Sequence, residues 1–442
     1  MNFTSMEKSF FWMNSKTKSS IIKCMITLKS DVDPDALLIA TEKTVDRFER
    51  FKCMPVITKD GKLSFEVNNA KICVTLDDGK PKKLGSDETN GYLFRIYYEG
   101  KRIYLQCIHA LADGRGVVFF LSCLIKNYYR ELSIEVDPDN QLNEDGFFKE
   151  YAKAEGLFAS CQKDMAAQNI SAEDILAAAK EHKAAITGEK GKIHFGEMEY
   201  YKTPLVGVDA LIYDAAKCKE VVSGFGTTVA IFLNMLINKA IVEEYEIEGD
   251  YIQSLLPVDM RSKFGVTTCD NFCSEMGLTF YKDWVKDSDE EMIERISADY
   301  HEAMSDELLI SDVFEMEKTC EAMQSMIPLT FPDMESLIEK ARGKDGGGTF
   351  QSNMGLVRLP GHMGEYVEDI DFLPSVVAPD NEFVTSTYGS KGRILHVSNY
   401  RDDRVLKKVY EYMTEYGIPA ELIPCYSVEN DHINVSLFKK EA

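Results

Sequence analysis

Between residues 92 and 129 the chain reads without interruption as strand, tight turn, strand, loop and buried helix, an order that few folds accommodate. Residues 92–98 and 101–108 are rich in aromatic and β-branched types. Glu99-Gly100 lies between them and predicts a two-residue hairpin turn. The second strand ends in Cys107-Ile108, and His109-Ala110-Leu111-Ala112-Asp113-Gly114 follows at once. From residue 117 an apolar run through Tyr129 predicts a largely buried helix. A side chain at a strand-to-loop junction is both rigidly held and accessible. An imidazole there can take a proton near neutral pH, which few other groups do unaided. The Asp-Gly that follows supplies a carboxylate and a backbone turn to fix the loop.

The rest of the chain divides into two strand-and-helix halves. In the first, residues 21–28 read as a strand, and Asp33-Pro34 opens a helix that runs to about Arg47 with an acidic first turn. Residues 140–200 turn rich in Ala, Glu and Lys and read as a linker carrying one or two exposed helices. The second half repeats the order, with a strand at 206–213, a helix at 228–244 capped by Thr227 or Thr228, and a strand at 251–257. A broken helical region at 289–340, a glycine-rich hinge or loop at 343–348 and strands at 351–359 and 392–400 follow. A helix at 403–416 and a strand at 432–438 finish the chain. No short-period repeat is present. With 442 residues, too many for one ordinary core, two lobes are expected: 1–190, carrying the histidine motif and the helical linker at about 140–200, and 191–442.

Composition removes several function classes. A net charge of −23 argues against a nucleic-acid surface and obliges any polyanionic cosubstrate to find a local basic patch. No run of 18 apolar residues exists, so no membrane span is expected, and the first eight residues do not read as a secretory signal. Eleven cysteines, an odd number with no paired CxxC spacing, read as free thiols of a cytoplasmic protein. Cys269 and Cys273 lie four apart, but no second pair completes a metal site.

The histidine motif, with the strand before it and the apolar helix after it, resembles the active-site signature of the chloramphenicol acetyltransferase-like superfamily. That group includes alcohol O-acyltransferases, plant BAHD acyltransferases and nonribosomal peptide condensation domains. Condensation domains usually carry two adjacent histidines; here Ile108 stands at the first position. Arg47-Phe48-Glu49-Arg50-Phe51 resembles their Arg-His-Glu-x-Leu-Arg segment, with Phe48 replacing histidine. Pro257-Val258-Asp259-Met260-Arg261 and Asn271-Phe272 resemble two segments of the second half, and Ser352-Asn353-Met354-Gly355 resembles a strand bordering the active-site channel. The plant Asp-Phe-Gly-Trp-Gly motif is absent.

The resemblance implies an α/β fold of two chloramphenicol acetyltransferase-like lobes, mixed sheets with flanking helices, forming a V-shaped pair around a central channel. It implies His109 as general base in acyl transfer from a thioester to a small alcohol. Asp113 would point away from substrate and pair with Arg261, Gly114 would allow the turn and close approach of the donor, and Ser352 or Asn353 would donate to the oxyanion. No Gly-x-Ser-x-Gly elbow is present, which favours direct transfer over a serine acyl-enzyme. His396 reads as a packed histidine. No metal and no permanently bound cofactor are expected; acyl-CoA, or an acyl carrier protein thioester, is the expected cosubstrate of a monomer. The alternatives are a stand-alone condensation-type enzyme using a carrier thioester and an amine, and a non-catalytic binding protein on the same fold.

Overall fold

The hairpin lies within a five-stranded sheet in the structure, a computed structural model that describes residues 3–12, 20–59, 63–142, 156–194, 205–325, 348–373, 381–398, 400–429 and 439–440. Strands Phe94–Glu99 and Arg102–Ile108 pair antiparallel, ending at Glu99 opposite Arg102. The turn is therefore Gly100-Lys101, one residue later than the sequence predicts. Gly100 adopts φ 54°, a left-handed conformation that glycine enters without the clash of a Cβ. Strand Ile21–Leu28 pairs on the other side of Arg102–Ile108. Helix Pro34–Arg47 begins at Asp33, whose carboxylate accepts from the Asp35 and Ala36 amides. It packs on helix Gly114–Glu131, and Leu37, Ala40, Phe120 and Leu124 close with Ile26 and Leu105 into the first core.

The second core forms on a seven-stranded mixed sheet. Its order is Cys273–Tyr281, Tyr251–Asp259, Gly348–Leu356, Asn381–Tyr388, Lys391–Ser398, Leu205–Asp214 and Ala420–Glu429. Gly348–Leu356 runs parallel to both neighbours, and the other pairs are antiparallel. Helices Val229–Glu244, Asp289–Ala303 and Arg404–Glu415 supply its apolar covering. Thr228, not Thr227, caps the first of these by accepting from the Ile231 amide. The helical region from 289 breaks after Ala303 and resumes over Asp306–Ser325. Of the glycine-rich loop expected at 343–348, residues 343–347 lie outside the described residues and Gly348 begins a strand; the strand expected at 432–438 also lies outside them.

Two features differ from a simple pair of halves. Strand Val367–Leu373, late in the chain, adds antiparallel to Ile21–Leu28 and becomes an edge of the first sheet. The expected exposed helices are Leu157–Gln168 and Ala172–Ala185, and they are packed: Leu157, Cys161, Met165 and Ile175 enter the second core. The spacing of the first three, four residues apart, puts them on one helical face. Each large apolar side chain so buried contributes about 1.5–3 kcal/mol, which the Ala-, Glu- and Lys-rich remainder of these helices conceals.

Candidate active site

His109 stands one residue beyond strand Arg102–Ile108, with its backbone amide bonded to the Ser20 carbonyl at 2.7 Å. Its half-buried ring meets Asn271, which lies 162 residues away in sequence and is itself buried. Asn271 Nδ2 donates to the His109 carbonyl at 2.8 Å, so Oδ1 is the amide atom facing the ring, 2.9 Å from Nδ1. Nδ1 therefore carries the proton, and Nε2 carries the lone pair. Burial pushes the imidazole below the usual histidine value, outweighing the pull of Asp113 and of the hydrogen bonds. A neutral imidazole with Nε2 free to accept is the state a general base requires.

Asp113 faces the other way. It is the N-cap of helix Gly114–Glu131, with Oδ1 accepting from the Gly116 amide at 2.8 Å. Arg261 Nη2 lies 2.9 Å from both carboxylate oxygens, and the Phe272 amide and Cys273 thiol donate to Oδ2 at 2.8 and 3.2 Å. Burial alone would raise the carboxyl; the guanidinium and the N–H donors hold it below the usual carboxylate range. Arg261 is equally engaged, through Nε to the Thr268 carbonyl, Nη1 to Asp259 and Nη2 to the Asp270 carbonyl. The pair joins the first core to the loop at 268–272, the loop that carries Asn271.

Gly114 does not form the turn that the sequence suggests. Gly114 is the first helical residue and does not use a left-handed backbone; a Cβ there would come within 2.6 Å of the Met354 Sδ. Gly116, which the sequence did not single out, is the stricter position: a Cβ would lie 2.1 Å from the Cys269 carbonyl oxygen. A methionine tail can swing aside, whereas a backbone carbonyl cannot. Gly116→Ala is therefore expected to destabilise by about 2 kcal/mol or more, despite the roughly 1 kcal/mol helix preference for alanine. Gly114→Ala should cost less. Urea unfolding of both variants checks this, and equal midpoints would contradict the close approach.

The structure brings His109, Asp113, Gly114 and Arg261 into one contact network. Strand Gly348–Leu356 reaches it through Met354 at Gly114, while no hydrogen bond joins Ser352 or Asn353 to His109. Ser352 is half-buried beside Val384, and exposed Asn353 accepts from the Gly355 amide at 2.8 Å. His396 is buried with Nδ1 on Asp209 and Nε2 on Asn381, so it is packed. The thiols of Cys269 and Cys273 both donate across the seam, to the Gly116 carbonyl and to Asp113. The partners that sequence reasoning missed are Asn271 as the ring's anchor, Gly116, and Phe10, which stacks on the imidazole. Gly116 had a local signal, the Gly-x-Gly that opens the helix, and Asn271 stood in the Asn271-Phe272 segment of the resemblance without a role attached to it.

No family model and no curated protein matches the sequence. Solved structures do match along nearly its whole length. The epimerization domain from the third module of tyrocidine synthetase B has a TM-score of 0.62 at 12% identity, covering 94% of this chain and 95% of that one. A mutant starter condensation domain of rhizomide synthetase, in complex with C8-CoA, has a TM-score of 0.61 at 10% identity over 94% and 93%. Polyketide synthase associated protein 5 from Mycobacterium tuberculosis has a TM-score of 0.60 at 14% identity over 93% and 96%. The chain has the two-lobed α/β fold of these condensation-type domains. The superfamily resemblance carried by the His109 segment is thus met at the level of fold.

Proposed function

We propose that the chain is an acyltransferase that moves an acyl group from a thioester, acyl-CoA, to the hydroxyl of a small acceptor without a covalent enzyme intermediate. The observation that carries this reading is His109 anchored at Nδ1 by Asn271, which leaves Nε2 as the accepting atom. In the reaction Nε2 takes the acceptor proton as the oxygen attacks the thioester carbonyl. The C–O bond forms, the tetrahedral intermediate collapses, the C–S bond breaks, and the imidazolium returns the proton to the leaving thiolate. Ser352 and Asn353 are the candidate oxyanion donors: the Gly355 amide occupies only the acceptor oxygen of Asn353, and its Nδ2 is the atom that would donate. The C8-CoA held by one fold neighbour supports a CoA donor.

The test is incubation of purified protein with acyl-CoA and a panel of alcohols. Released CoA should be separated chromatographically, because exposed Cys73 would confuse a thiol reagent. Alcohol-dependent release with formation of the ester supports the proposal. Turnover only with carrier-bound donors and amines would establish the condensation-type alternative, and no turnover with any donor the binding-protein alternative. Activity should fall on acidification through a pKa below 6.5, since protonating His109 removes the base. A kcat/KM acid limb at or above 6.5 would contradict the lowered imidazole.

A further inference from the structure

We propose that the amino-terminal helix Ser5–Trp12 belongs to the active site as a positioning element, its Phe10 ring fixing the plane of the His109 imidazole. The inference rests on His109 being the catalytic base. The two rings stack with centroids 4.2 Å apart and planes 20° from parallel. Asn271 holds the imidazole at one atom, Nδ1, and a bond at one atom leaves the ring free to turn about it. An aromatic face laid against the ring removes that freedom and so aims Nε2. It also keeps water off one face of the imidazole.

The helix is tied to the histidine at both ends. At its carboxyl end the Ser20 hydroxyl donates to the Phe10 carbonyl at 2.6 Å, while the Ser20 carbonyl accepts the His109 amide at 2.7 Å. One residue thus sets the backbone spacing of the two stacked rings. At its amino end Thr4 and Glu7 form a reciprocal capping box, with bonds of 2.8 and 3.2 Å. The other Glu7 oxygen takes Arg50, although Glu7 is only 1% exposed. A buried carboxylate is costly unless paired, and a helix cap alone would not require one. Arg50 in turn bonds Asp270 at 3.1 Å and approaches the Ala110 carbonyl at 3.5 Å. These are the neighbours in sequence of Asn271 and His109, so through Arg50 the helix is tied to the backbone beside both the histidine and its anchor. It also packs against helix Asp306–Ser325, spanning the two cores.

The experiment uses the full chain with Phe10→Leu, Phe10→Tyr and Glu7→Gln, read by thioester turnover and by NMR of the His109 ring nitrogens. Phe10→Leu keeps an apolar side chain but removes the aromatic face. Its turnover number should fall about tenfold with KM for the thioester unchanged, in keeping with the sensitivity of catalysis to small misplacements. His109 should then titrate closer to 6.5, and its preference for a proton on Nδ1 should weaken. Phe10→Tyr should restore both, and Glu7→Gln should move the ring signals in the same direction as Phe10→Leu. Ring signals in Phe10→Leu identical to those of the natural chain would overturn the proposal. If no variant and no natural chain turns over a thioester, yet the ring signals shift as expected, positioning stands and the acyltransferase reading falls.

Discussion

Replacing His109 with alanine is expected to lower the turnover number for thioester cleavage by ~10²–10⁴-fold, the range that a positioned general base supplies. Binding of the thioester should change little, because the role assigned to the ring concerns the acceptor's proton. The fold should survive, since the substitution removes one stacking contact and one hydrogen bond at a half-buried position. Asn271 Oδ1 then loses its donor, and a bond of this kind is worth roughly 0.5–1.5 kcal/mol. A drop in rate with an unfolding midpoint close to that of the natural chain is the signature sought. Asn271→Ala should give a smaller drop, since it leaves the base in place and frees only its tautomer and aim. Equal rates for the natural chain and His109→Ala, measured as CoA released per enzyme, would remove His109 from the mechanism.

What was legible in the sequence was local. The hairpin, the histidine at its end and the apolar helix occupy residues 92–131, and the period-2 and helical patterns there depend on near neighbours only. Asp113 was legible as the carboxylate of the motif; its role as N-cap of the following helix came only from the structure. What escaped was contact at long separation. Asn271 reaches His109 across 162 residues, and Val367–Leu373 reaches Ile21–Leu28 across more than 300. No periodicity encodes such pairings, since either partner would look the same on its own element. Phe10 illustrates the point: one phenylalanine in a short aromatic helix gives no sign of which ring it will cover. The helices at 157–185 were legible as helices, but their packing escaped, because the few apolar residues that enter the core form a stripe too narrow to dominate composition.

The larger effect on stability is expected at Arg261. Its guanidinium and the Asp113 carboxylate are both nearly excluded from water, with side-chain exposures of 5% and 3%. Removing one member of such a pair leaves a buried charge uncompensated, which costs about 3–5 kcal/mol. Arg261→Ala should therefore lower the urea midpoint more than Gly116→Ala. Arg261→Lys should fall between them: it keeps the charge, but one ammonium cannot reach Asp113, Asp259 and the carbonyls of Thr268 and Asp270 together. The pH dependence separates this account from simple loss of packing. In the natural chain the folded-state pKa of Asp113 lies below 3.8. Its stabilising contribution is thus complete above the unfolded value and lost as pH falls through the lower folded one. In Arg261→Ala burial would dominate and raise the carboxyl above its unfolded value, reversing the sign. The deficit relative to the natural chain should then be largest at neutral pH and narrow on acidification, as Asp113 takes up a proton and ceases to be a buried charge. A deficit independent of pH between 7 and 4 would show that Arg261 contributes by filling space, and the ion pair would not be what joins the histidine loop to the loop that anchors it.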